Sequence, residues 1–200
     1  MNIKNINTLC KLIKFQNISN IINVTSNTNK IKRNKGFIGQ TVETFFNIKN
    51  NNKPHPDLNK LGIEIKTLPL SKSFLPKENT YICNTNKNMK IIKWKKSNIY
   101  KKINTILWIP YEGCNKIPFS EKKFLIPFIY KITKSEEKKL KQEWIEITEN
   151  YIYNKNIKIN SLNFLEIKTK HKKCKKYKKN IIYKNYNAYY FKHYYILNSY

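Results

Sequence analysis

Six residues separate Asp57 from Glu64-Ile65-Lys66. An acid followed by acid-x-Lys is a set that can do phosphoryl chemistry with a divalent cation. Residues two apart on a strand share a face, so Glu64 and Lys66 point together, and a preceding loop can bring Asp57 beside them. Two carboxylates, a backbone carbonyl (that of Ile65 is the natural candidate) and waters suit a hard cation such as Mg2+. Such an ion polarises a scissile phosphate, lowers the pKa of a bound water and stabilises the leaving oxygen. Lys66 would orient the attacking water or steady charge on the pentavalent phosphate. The spacing alone is not decisive. Acid-x-Lys also occurs on solvated strand faces, and Glu166-Ile167-Lys168 is such a case in this chain, with no aspartate near it.

The elements that must position these side chains are legible in the pattern. Leu61 to Lys66 alternates: Leu61, Ile63 and Ile65 face one way, Gly62, Glu64 and Lys66 the other, which predicts a strand. Residues 50–56 hold two prolines and three asparagines and read as the loop that delivers Asp57. Upstream, Phe37, Ile38, Thr41, Val42, Phe45 and Phe46 recur at helical spacing over 36–47, with Glu43 on the opposite stripe. Further strands are expected at Thr80–Cys83, at Ile106–Ile109 as a central strand ending at Pro110, and over Asn163–Lys168. Residues 135–151 form a helix in this reading. Ser135 caps it, Glu136 and Glu137 meet the positive end of its dipole, and Leu140, Trp144, Ile147 and Tyr151 make its apolar stripe. Leu12-Ile13 and Ile21-Ile22 point to helix in the first 34 residues. A lysine run and a tyrosine-dense tail close the chain.

With 200 residues the chain is sized for one domain with a sizeable core. Its 40 Lys+Arg against 12 Asp+Glu give a formal net charge of +28. A field of that sign favours polyanions, DNA or RNA above all. Drift toward A/T-rich codons would also fill a chain with Lys, Asn and Ile, and Arg33 is the sole arginine. The same drift turns Asp codons into Asn codons, so the survival of Asp57, the only aspartate, is informative. The longest apolar stretch, Phe124–Tyr130, is far short of a membrane span, and the N-terminus lacks a signal-peptide pattern. The expectation is a cytoplasmic protein. Cys10, Cys83, Cys114 and Cys174 are scattered, form no Cys-x-x-Cys pair, and read as reduced thiols rather than zinc ligands or disulfides.

Four blocks, Lys35–Glu43, Lys53–Leu58, Leu61–Pro69 and Ile106–Gly113, together resemble the MutH family of mismatch-repair endonucleases, in the family's order and at about its spacing. Glu78–Cys83 also resembles the family's next strand. The good match runs over about residues 33–150. Residues 151–200 match loosely, as a segment that reads DNA, and residues 1–34 hardly match. The resemblance implies one restriction-endonuclease-like α/β (α+β) domain: a mixed β-sheet flanked by helices, in two lobes that form a DNA cleft. It implies Mg2+-dependent nicking of the unmethylated strand at hemimethylated GATC sites, with activation by MutL. By position, Asp57, Glu64 and Lys66 fall on the family's catalytic acids and lysine. Glu43 falls on a helical glutamate at the metal site, and Lys102 on a further active-site lysine.

For DNA contact the resemblance points to Lys35, Lys168, Lys170 and Tyr190. Tyr190 lies in a segment where a tyrosine senses the adenine methyl group, and a ring at the major-groove edge of adenine could contact or exclude one methyl. At Lys168 the family favours arginine, and lysine cannot make the same planar two-point contact. Residues 172–179 suit phosphates, which give affinity without reading sequence. Two other readings stand beside this one. A GATC-type restriction endonuclease must cut both strands and usually needs two active sites, whereas one motif favours a monomer that nicks. A basic DNA-binding protein that has lost catalysis would show no Mg2+-dependent cleavage.

Overall fold

The computed structural model describes residues 2–24, 36–48, 54–84, 92–153, 164–169 and 179–183. Helices α1 (Ile3–Ile13), α2 (Ile18–Val24) and α3 (Phe37–Phe45) precede the strand β1 (Glu64–Leu70). Then come β2 (Thr80–Asn84), helix α4 (Asn98–Ile103), β3 (Thr105–Glu112), β4 (Phe128–Lys131), helix α5 (Lys134–Ile152), β5 (Leu165–Thr169) and β6 (Lys179–Tyr183). Two sheets result, ordered β1-β3-β4 and β2-β6-β5. In the first, β1 runs parallel to β3, with Glu64 opposite Ile106 and Lys66 opposite Trp108, while β4 runs antiparallel to β3. The second sheet is antiparallel. This is the mixed sheet with flanking helices that the sequence leads one to expect.

The period-two pattern of β1 and β3 divides the core in two. Ile63, Ile65, Leu107 and Ile109 pack with Ile6, Ile13, Ile18, Phe37, Val42 and Phe46 of the N-terminal helices. From the opposite face Leu68, Leu70, Ile106 and Trp108 pack with Ile99, Ile103, Leu140, Trp144 and Ile147 of α4 and α5. Glu64 and Lys66 share that second face with Leu68 and Leu70. A charged pair therefore sits at one end of a row that is otherwise apolar.

Several expectations need adjusting. Leu61 belongs to a 3-10 turn, Asn59–Leu61, and the strand begins only at Glu64. β3 does not end at Pro110 but continues to Glu112. Its proline is tolerated because β4 pairs only with Thr105–Trp108, and beyond it the Pro110 carbonyl accepts from Leu125 N at 2.8 Å. The cap of α5 is Thr133, not Ser135. Thr133 Oγ1 accepts from Glu136 N, and Glu136 reaches back to Thr133 N at 2.8 Å, a reciprocal capping box. β6 was not anticipated at all. Within α5, Leu140, Trp144 and Ile147 form the expected buried stripe.

Candidate active site

Among the described residues β1 is an edge strand, and the site is built along its open side. Within a strand the N–H and C=O of one residue point the same way, and alternate residues point to opposite neighbours. Ile63 turns its backbone groups away from β3: Ile63 O accepts from Leu58 N at 2.9 Å in an antiparallel bridge. Ile65, two residues on, must point the same way. Its N–H donates to Asp57 Oδ2 at 2.9 Å, so an aspartate side chain continues the ladder where backbone leaves off. The Ile65 carbonyl consequently opens toward the same edge as Asp57.

The fold-back that permits this passes through Gly62, whose φ of +66° is left-handed. A residue with a Cβ would be strained there by about 1 kcal/mol, although nothing lies within 4 Å of the added atom.

Glu64 is completely buried. Its Oε1 accepts from Lys66 Nζ at 2.7 Å and from Lys102 Nζ at 2.9 Å. Lys102 comes from the last turn of α4. Ser97 caps that helix by accepting from Tyr100 N, and Ile99 and Ile103 anchor it in the core. The buried Oε2 of Glu64 has no hydrogen-bond partner among the described residues. Glu43, half-buried on α3, completes the acidic group electrostatically. Burial first, then the charge of Asp57, raises its pKa above the ordinary carboxylate value. Asp57 is raised too, chiefly by burial and then by Glu64, against the opposing pull of the Ile65 N–H and the two lysines.

Three acids that repel one another, two ammoniums and a buried, unpartnered carboxylate oxygen form a set suited to a divalent cation. Glu64, Asp57 and the Ile65 carbonyl are the groups that would hold it, all oxygen donors as a hard ion requires. Among the described residues no group of three His, Cys, Asp or Glu could hold an ion by itself. The backbone carbonyl and water would have to supply the remaining ligands. Cys83, on β2 near this cluster, is a poor nucleophile, because burial pushes its thiol up to about 11.

Of the residues singled out from sequence, Asp57, Glu64, Ile65, Lys66 and Lys102 converge, and Glu43 is close enough to couple with them. Lys168 lies on β5, in the other sheet. Lys35, Lys170 and Tyr190 fall outside the described residues. Sequence reading missed the tie between Asp57 and Ile65 N, which no residue pattern announces. It also missed the sharing of one Glu64 oxygen by two lysines from different elements.

The family model for the DNA mismatch repair enzyme MutH matches residues 46–143, a span that holds Asp57, Glu64, Lys66 and Lys102 but not Glu43. A DNA mismatch repair protein MutH from Vibrio parahaemolyticus is 33% identical over 126 residues, covering 62% of this chain and 56% of the relative. The Actinobacillus pleuropneumoniae protein of the same name is 33% identical over 132 residues, covering 66% and 58%. That of Shewanella oneidensis is 34% identical over 122 residues, covering 60% and 55%. The chain thus spans little more than half the length of the curated relatives it matches.

Proposed function

We propose that this chain, whose residues 46–143 match the family model for the DNA mismatch repair enzyme MutH, is a MutH-like, divalent-metal-dependent DNA endonuclease of methyl-directed mismatch repair. The observation that carries the reading is the convergence of Asp57, Glu64, Lys66 and Lys102 at the open edge of β1, with one Glu64 oxygen left to be satisfied.

Asp57 and Glu64 would hold the cation together with the Ile65 carbonyl, with Glu43 adding negative charge from α3. Mg2+, when bound, supplies Lewis acidity at the scissile phosphate and acidifies a water. Lys66 Nζ, on the strand face beside Glu64, orients that water or donates to a non-bridging phosphate oxygen as charge builds there. Lys102 Nζ adds a second ammonium on the same side. Water attacks phosphorus, the bond to the leaving sugar oxygen breaks, the attacking water's proton passes to solvent or a neighbouring carboxylate, and the leaving oxygen takes a proton from solvent to become a hydroxyl. The buried position of Glu64 keeps bulk water from screening these charges, which strengthens each of them.

Further parts of the reading rest on the family resemblance. The substrate is double-stranded DNA at hemimethylated GATC, and MutL is the activating partner. The enzyme works as a monomer in the cytoplasm, as a single domain over residues 1–200. Lys35, Lys168 and Lys170 contact DNA, and Tyr190 senses the adenine methyl group. Among the described residues no helix is long and apolar enough to cross a membrane.

Supercoiled plasmid carrying unmethylated, hemimethylated or fully methylated GATC, with Mg2+ and with or without MutL, tests the reading. Open-circular product from the first two substrates and none from the third is expected. Linear product at the first cut would favour a restriction enzyme, and cleavage indifferent to methylation would remove the methyl-directed role.

A further inference from the structure

The two lysines on Glu64 are not equivalent. Lys66 is two residues away on the same strand and moves with its partner. Lys102 reaches across from α4, so its contact survives only while α4 keeps its place against β1. Both ammoniums sit on Oε1, with side-chain exposures of 20% for Lys66 and 13% for Lys102, against 1% for Glu64. A buried charge is costly unless it is paired and hydrogen-bonded. A divalent cation at Glu64 would supply a counter-charge itself, and it would repel an ammonium a few ångströms away.

We propose that Lys102 is a built-in competitor for the divalent cation. It holds the Glu64 side chain in position when no cation is bound, and it weakens the affinity of the site for one. The placement of α4 then sets how readily the site loads. Ile99 and Ile103, both fully in the core, and the Ser97 cap fix α4 as the element through which this coupling acts. The inference rests on the metal-nuclease reading above.

Calorimetric titration of Ca2+ into the DNA-free protein separates the two ideas. Wild type should bind Ca2+ weakly, and Asp57→Asn should bind it far less. Lys102→Met should bind about tenfold or more tightly than wild type, since a unit positive charge near the ion is gone, while Lys102→Arg should stay near wild type. Lys102→Gln gives a second neutral variant should the methionine perturb folding, and circular dichroism checks each protein. Neutral variants that fold and bind Ca2+ no better than wild type would overturn the competitor role alone. Wild type and Asp57→Asn binding alike, or neither binding, would overturn the metal site and the competitor together.

Discussion

Glu64 is buried between two lysines, yet Asp57 gives the cleaner handle on the site's cost to stability. Asp57 and Glu43 both hold their protons to higher pH when folded than when unfolded, because burial and mutual repulsion disfavour their charged forms. Between the unfolded carboxyl pKa, about 4, and the raised folded values, the native state binds more protons than the unfolded chain. Stability therefore falls as pH rises through that window. Asp57→Asn removes one of these charges and keeps an oxygen for the Ile65 N–H. In metal-free thermal melts the variant should outlast wild type at pH 8, and the gap should close toward pH 4. A variant melting below wild type at pH 8 would show that the lysines already compensate the aspartate fully. At this scale the residue identities were legible, since Asp57 and Glu64-x-Lys66 stand in one short stretch. That Lys102 belongs to the site came only from a family resemblance, and its pairing with Glu64, 38 residues away, was not legible, because no local pattern links a helix's last turn to a buried strand residue.

Secondary-structure elements depend on a few polar anchors that the apolar pattern does not show. Glu143 on α5 is nearly buried, and its carboxylate accepts from Phe164 N and Leu165 N at 2.9–3.2 Å, pinning the start of β5. Glu143→Ala should cost about 3 kcal/mol, since buried backbone donors lose a charged acceptor. Denaturant unfolding would measure it, and a loss under about 0.5 kcal/mol would mean that water replaces the carboxylate without penalty. The strands β1 and β3 and the helix α5 were readable because a period of two or of 3.6 runs through each. The cap of α5 was misplaced by two residues although its signal was present: Thr133-x-x-Glu136 is a capping box and Ser135 has no partner glutamate three residues on. β6 was unreadable for a different reason. Its place is fixed by pairing with both β2 and β5 rather than by alternation within Lys179–Tyr183.

Taken as a whole, the chain carries a formal net charge of +28, which must act on any polyanion. If lysines make six or more phosphate contacts, DNA affinity should fall about a thousandfold between 50 and 200 mM salt. Fluorescence anisotropy on a short duplex would show it, and a nearly flat response would assign the charge to codon drift. The mixed-sheet class came from the family resemblance, while the strand-like and helical periods along the sequence show only that both kinds of element are present. The division of strands between two sheets was not, since it depends on long-range register. The central claim remains local: Asp57 and Glu64 hold a divalent cation against a DNA phosphate, with Lys66 beside them. Cleavage of supercoiled plasmid by wild type, Asp57→Asn and Glu64→Gln, measured beside DNA binding in the same buffer, tests it most directly. Mg2+-dependent nicking by wild type, a loss of at least about a hundredfold in both variants and nearly unchanged binding is the predicted result. Nicking by either variant at the wild-type rate would contradict it.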